Sequence, residues 1–204
     1  MTDYIEILHK KPIWIEDNIL DTQQLNYLEN TSIDLSNQFP DYNHTYNPDT
    51  FKTSRNVGIK IHTMPEYATI NQIIIDRAKK MSAEMGYSKK QLENLVIGDS
   101  WFCIYKPGDC VQMHIHRPYF LTAAFYIKNL TACKLRFMHN IYSYAPWPAM
   151  LDNEWSKNST DMDCPPGRLL LFPSDCAHGT DQIKTTSHTG IVKVMLSYNL
   201  MFKS

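Results

Sequence analysis

The chain has 204 residues, with 20 Lys+Arg against 21 Asp+Glu for a net charge of −1, and 43% of its residues are hydrophobic. That length and apolar content suit one folded domain with a sizeable core and exclude a disordered chain, while the charge balance lacks the basic footprint that duplex nucleic acid demands. No apolar stretch approaches the roughly 20 residues of a membrane span, and the opening MTDYIEILHK has neither the basic nor the apolar region of a secretory signal, so a cytoplasmic protein is expected.

In chain order, residues 12–15 are short, apolar and β-branched, as in a strand. Asp21 followed by Gln24 has the spacing of a capping box and opens a short helix whose Leu25 and Leu28 face inward. Residues 31–60, rich in Asn, Asp, Ser and Thr, read as irregular connection. A second helix starts at Pro65 and Glu66, carries Ile70, Ile73, Ile74, Ala78, Met81 and Met85 at helical spacing, and stops at Gly86. Ser88 with Gln91 opens a further short helix bearing Leu92 and Leu95.

From residue 99 the period turns strand-like. Strands are expected over 100–105, 110–116, 121–128, 133–139, 168–172 and 191–202. Lys106-Pro107-Gly108-Asp109 places Pro and Gly where a type II turn needs them. Residues 140–165 form a long connection of the kind that serves as a lid or binding loop. No internal repeat divides the chain. The expectation is a single domain, mainly β with flanking helices: an antiparallel sandwich or jelly roll over 99–204, supported by an α-rich, partly irregular part over 1–98.

The five cysteines, Cys103, Cys110, Cys133, Cys164 and Cys176, are odd in number and contain no CxxC pair. This argues against a disulfide framework and a Cys-rich zinc site, and for a reducing compartment.

Two of the eight histidines form His114-Ile115-His116. In a strand, residues i and i+2 project from one face, so both imidazoles point the same way. His178 follows the strand over 168–172 and is a third candidate. Two ligands from one strand and a third from another make a facial site with open positions, as catalytic iron requires. An HxH pair alone is more often surface or satisfied core than a metal site; His9, His44, His62, His139 and His188 have no company comparable to that of His114, His116 and His178 and are read as structural.

The succession Trp101…Tyr105-Lys106-Pro107-Gly108-Asp109…His114-Ile115-His116, Phe125-Tyr126-Ile127, Pro166-Gly167-Arg168-Leu169-Leu170-Leu171-Phe172-Pro173-Ser174…His178 and Lys193-Val194-Met195-Leu196-Ser197-Tyr198-Asn199 resembles the 2-oxoglutarate and Fe(II)-dependent oxygenases, in particular their small prolyl-hydroxylase-like branch. The resemblance covers residues 99–200 and implies a double-stranded β-helix, a core of the jelly-roll or cupin-like kind. It further implies Fe(II), 2-oxoglutarate as cosubstrate and O2, and an activity that hydroxylates or otherwise oxidises a C–H bond with release of succinate and CO2. His114 and His178 take ligand positions; His116 falls where most of the family has a carboxylate, which would make the centre three-histidine and one charge more positive.

Lys193 matches the family's cation for the distal carboxylate of 2-oxoglutarate. Ser197 shares its strand face, and Tyr126 matches a tyrosine that donates to the same carboxylate. Lys193 on a solvent-facing sheet edge and Tyr126 as plain core are the structural alternatives. Trp101 and Tyr105 on a core strand, and Trp147 and Trp155 in the long connection, are candidate substrate-pocket residues; the loop aromatics serve equally well to pin the loop.

Two other readings stay open. Gly108 followed by His114-x-His116 also resembles the first cupin motif, which would mean a three-histidine iron dioxygenase without 2-oxoglutarate, although the expected downstream Glu is absent. The other is a metal-free binding protein on the same scaffold. The expected partner is a small-molecule or amino-acid-type substrate, with neither nucleic acid nor membrane; substrate identity and oligomeric state are not legible.

Overall fold

A computed structural model of the chain describes residues 11–39, 51–138, 159–184 and 190–203. Its elements in order are β1 (Trp14–Glu16), α1 (Thr22–Asn37), β2 (Lys52–Thr53), three short 3-10 turns between residues 54 and 67, α2 (Ala68–Glu84), α3 (Lys89–Glu93), β3 (Leu95–Tyr105), β4 (Val111–His114), β5 (Leu121–Asn129), β6 (Leu135–Met138), β7 (Ser159–Met162), β8 (Leu169–Pro173), β9 (His178–Thr180) and β10 (Lys193–Phe202).

Local chemistry sets the helix ends. The Asp21 carboxylate accepts the Gln24 N–H at 2.8 Å and the Gln24 side chain accepts the Asp21 N–H at 3.0 Å, closing the capping box. α1 then runs on to Asn37, into the stretch expected to be irregular. Its buried serines do not break it because both are satisfied: Ser32 shares a 3.0 Å hydrogen bond with the Tyr67 hydroxyl, and Ser36 donates to the Ile33 carbonyl at 2.8 Å. α2 buries Ile70, Ile74, Ala78 and Met81, and the chain leaves it through Gly86 at φ +90°. Leu95 does not ride on α3; it begins β3, opposite Phe202.

The strands form two antiparallel sheets. One has six strands in the order β1-β8-β5-β10-β3-β2, the other four in the order β4-β9-β6-β7. β10 is central, paired with β3 from Lys193 opposite Tyr105 to Phe202 opposite Leu95, and with β5 on its other side. Alternation then sorts the side chains. Phe102, Ile104, Phe125, Leu171, Val194 and Leu196 face outward and pack with Ile70, Ile74, Ala78 and Met81 of α2. Trp101, Cys103, Tyr105, Tyr126, Phe172 and Met195 face inward and pack with Leu135 and Phe137 of the four-stranded sheet. Two facing antiparallel sheets with helices against the larger one are the expected double-stranded β-helix.

Two local expectations are corrected. β4 stops at His114, so His116 lies beyond the strand rather than within it. Part of the connection expected over 140–165 is β7, because Ser159–Met162 pairs with Leu135–Met138. All five cysteines are free. No helix among the described residues is long and apolar enough to cross a membrane.

Candidate metal centre

β4 and β9 are neighbours in the four-stranded sheet, and their pairing sets His114 directly across from His178. That pairing needs Gly179: a Cβ there would stand 2.7 Å from the Val111 carbonyl oxygen and 3.0 Å from the Met113 nitrogen. His116 reaches the pair from the segment after β4. Its N–H donates to the Ser174 carbonyl at 2.8 Å, and the Ser174 N–H donates to Phe120 at 3.0 Å, tying this segment to the turn after β8. The Ser174 hydroxyl in turn shares a 2.9 Å bond with Thr122, which donates to Asn199 Oδ1 at 3.1 Å.

The three rings converge. Centroids lie 4.4 Å apart for His114 and His178, 4.7 Å for His114 and His116, and 5.1 Å for His116 and His178. One ring nitrogen from each lies within 4.8 Å of the others. His114 Nδ1 is 2.7 Å from the Gln112 carbonyl oxygen, and His178 Nδ1 is 2.8 Å from that of Cys176. A carbonyl only accepts, so each Nδ1 carries the proton and each Nε2 presents a lone pair. His114 Nε2 and His116 Nε2 are 2.9 Å apart. With both carbonyl-bound rings fixed as acceptors at Nε2, His116 is the donor in this contact, and a cation in the same place would replace that proton.

The surroundings hold two of the rings, His116 and His178, neutral. His116 is pushed down to about 2, chiefly by burial and then by the neighbouring imidazoles and Arg55. His178 is pushed down to about 4, again by burial first and then by His114. Neutral imidazole is the form a metal ion binds.

The rings open into a cavity of about 570 Å³ between the sheets, whose lining includes Arg55, Trp101, Tyr105 and Ser197 as well as the three histidines. Trp101 stacks on His116 at 5.7 Å and 19°. No Asp or Glu is among the described lining residues.

Lys193 is not on an exposed edge. It is 0% accessible, on the central strand, and its Nζ has no hydrogen-bond partner among the described residues. The ammonium lies 4.5 Å from the Tyr105 ring centroid and 5.5 Å from that of Tyr126. The Tyr126 hydroxyl is likewise buried without a nitrogen or oxygen partner, and burial, together with the Cys164 thiol beside it, pushes its pKa well up. Lys193 and Tyr126 do not themselves line the cavity; Tyr105 does, and its ring carries the ammonium.

The structure thus brings together His114, His116, His178, Trp101, Tyr105 and Ser197, with Lys193 and Tyr126 in the adjoining layer. Trp147 and Trp155 lie outside the described residues. The sequence reading missed Arg55, which sits in a stretch with no periodic signal, and Gly179, whose only signal was its position directly after a candidate ligand.

Residues 99–190 match the family described as "Putative 2OG-Fe(II) oxygenase", a span that holds all three histidines and ends before Lys193. No curated protein is a sequence relative of this chain. Among solved structures, the viral collagen prolyl hydroxylase of Paramecium bursaria chlorella virus-1, in its 2-oxoglutarate complex, superposes with a TM-score of 0.56 at 14% identity, over 92% of this chain and 94% of that one. A prolyl-4-hydroxylase from Pseudomonas putida gives 0.57 at 13% identity, over 94% and 92%. HygX from Streptomyces hygroscopicus, with nickel and 2-oxoglutarate bound, gives 0.60 at 9% identity, over 95% and 83%. At these identities the structural likeness establishes the fold.

Proposed function

We propose that the chain, whose residues 99–190 match the 2-oxoglutarate/Fe(II) oxygenase family, is a dioxygenase of that kind acting on a small-molecule or amino-acid-type substrate through the cavity between its sheets. His114, His116 and His178 hold Fe(II) through Nε2, a neutral nitrogen donor set that suits the ion. Lys193 binds the distal carboxylate of 2-oxoglutarate, with Tyr126 as a second donor and Ser197 on the same strand face. When bound, iron together with 2-oxoglutarate and O2 supplies oxidation of a C–H bond coupled to release of succinate and CO2. The protein's share is to keep His116 and His178 neutral, to orient His114 and His178 through the Gln112 and Cys176 carbonyls, and to exclude water with walls such as Phe172 and Leu135. The whole chain is read as one oxygenase unit, residues 1–98 supporting the β-helix of 99–204, in a reducing, cytoplasmic setting.

The observation that carries this reading is the Lys193 ammonium, fully buried and without a hydrogen-bond partner among the described residues. An uncompensated charge inside a β core is expensive, and a bound carboxylate removes the cost through a charge-assisted hydrogen bond. A three-histidine iron site of the cupin kind, without 2-oxoglutarate, is favoured by one feature, the imidazole of His116 where a carboxylate is usual; it leaves Lys193 without a purpose. Anaerobic titration of the Fe(II) protein with 2-oxoglutarate separates the two. A saturable visible charge-transfer band, followed by succinate formation on admitting O2, is the expected result; absence of the band supports the cupin-type reading.

A further inference from the structure

We infer that Arg55 is the substrate-recognition residue of this cavity and that the substrate presents a carboxylate to it. The inference rests on the oxygenase reading of the site and adds the chemical class of the molecule oxidised.

Arg55 is held in place from its backbone outward. Its N–H donates to Thr53 Oγ1 at 3.2 Å, at the start of the 3-10 turn Ser54–Val57, and Gly58 closes that turn at φ +73°. The neighbouring Ser54, fully buried, accepts the Phe102 N–H of β3 at 3.2 Å. The guanidinium lies 4.6 Å from the Trp101 ring centroid, and the same indole stacks on His116. Arg77, Arg136 and Arg168 each fork onto a carboxylate: Glu16 for the first, Asp161 and Asp181 for the second, Asp17 for the third. Among the described residues neither the Arg55 nor the Arg117 guanidinium has such a partner; both are exposed, and of the two Arg55 lines the cavity.

Charge makes the vacancy specific. With an imidazole where a carboxylate is usual, the ligand set contributes no anion, and no Asp or Glu is among the described lining residues. A divalent iron and a dianionic cosubstrate cancel, so the loaded site stays net positive, and with Lys193 on the distal carboxylate of the cosubstrate Arg55 is the cation left without a carboxylate. The two cations serve different positions: Lys193 is opposite Tyr105 and Ser197 opposite Trp101 on β3, four residues apart, roughly 13 Å of strand. One indole-stacked guanidinium with its edge free matches a planar carboxylate in bidentate fashion.

The test titrates wild-type, Arg55→Ala and Arg55→Lys protein, loaded anaerobically with Fe(II) and 2-oxoglutarate. The probes are N-acetyl amino acids, their methylamides, blocked tripeptides with central Glu or Gln, and a blocked phosphoserine. Binding is read from tryptophan fluorescence, with and without the metal, and from perturbation of the charge-transfer band. The expected result is a carboxylate probe that binds wild type about tenfold or more tightly than its amide, a preference abolished in Arg55→Ala and partly restored in Arg55→Lys, with 2-oxoglutarate affinity unchanged. Preference for N-acetyl amino acids identifies a free α-carboxylate as the source; preference for the Glu tripeptide identifies an acidic side chain. The inference is overturned if the preference survives in Arg55→Ala, if Arg55→Ala weakens 2-oxoglutarate binding, if the phosphoserine is preferred, or if no carboxylate probe binds wild type. An Arg55-dependent preference in a protein that does not bind 2-oxoglutarate keeps the Arg55 site and sinks the oxygenase reading.

Discussion

The two faces of strand β10 carry opposite chemistry on one stretch of backbone. Outward, Val194, Leu196, Tyr198 and Leu200 are fully buried beneath the helices. Inward, Lys193, Ser197 and Asn199 interrupt the apolar run; among the described residues the Lys193 ammonium and the Asn199 amide nitrogen lack hydrogen-bond partners, and on the neighbouring strand the Tyr126 hydroxyl has only the Cys164 thiol beside it. The outer face follows the ordinary logic of a core, carrying apolar chains and no buried charge, although the Tyr198 hydroxyl is also buried there without a hydrogen-bond partner among the described residues. The inner face departs from it where a ligand is to be bound. Stability and function are thus assigned to alternate residues, and substitutions on the two faces should have opposite signatures.

The largest effect is expected from the inner cluster. His178→Ala removes the ligand that β9 contributes and should abolish iron-dependent succinate formation while leaving the fold intact by circular dichroism; turnover near wild type would remove the proposed ligand set. On the outer face, Leu196→Ala deletes a fully buried side chain and should cost about 2–5 kcal/mol, lowering Tm by roughly 2–4 °C for each kcal/mol, with 2-oxoglutarate affinity retained at temperatures where the protein is folded. Lys193→Met is the sharpest contrast. It replaces an unpartnered buried ammonium by an apolar chain of similar length, so the metal-free protein should gain about 1–3 kcal/mol, seen as a raised Tm, while 2-oxoglutarate binding weakens about 10- to 100-fold. A destabilised Lys193→Met protein with normal cosubstrate affinity would erase the distinction between the faces.

The smallest effect is in pH. His178, held down at about 4, and His116, at about 2, lie below the ordinary imidazole value of 6.5. Between those values the unfolded chain takes up protons that the folded cluster refuses, so this contribution to stability is complete above pH 6.5 and is lost as pH falls toward the folded values. The Tm of metal-free protein should therefore drop from pH 7 to pH 5, with a shallower slope in His178→Asn; equal slopes would contradict the neutral, desolvated cluster.

Sequence made the locally encoded features legible. The capping boxes at Asp21 and Ser88 and the Gly86 stop depend on residues three or four positions apart, and all three stand in the structure. The ligand candidates were legible as well, since the HxH pair and the histidine after 168–172 carry their own pattern, although His116 lies past the end of its strand. What depended on distant partners was not. β7 reads Ser-Thr-Asp-Met, with no alternation of its own, and owes its existence to β6 and to the Arg136–Asp161 ion pair at 2.8 Å. The burial of Lys193 follows from the central place of β10 between β5 and β3, and the role inferred for Arg55 follows from a tryptophan 46 positions away.

Convergence of the three imidazoles on one ion is tested most directly by a crystal structure of the protein grown anaerobically with Fe(II) and 2-oxoglutarate, using anomalous scattering at the iron edge. The account predicts a single iron peak bonded to Nε2 of His114, His116 and His178, with the distal carboxylate of 2-oxoglutarate hydrogen-bonded to Lys193 Nζ. Iron elsewhere, or iron at the histidines with Lys193 still unpartnered, would contradict it.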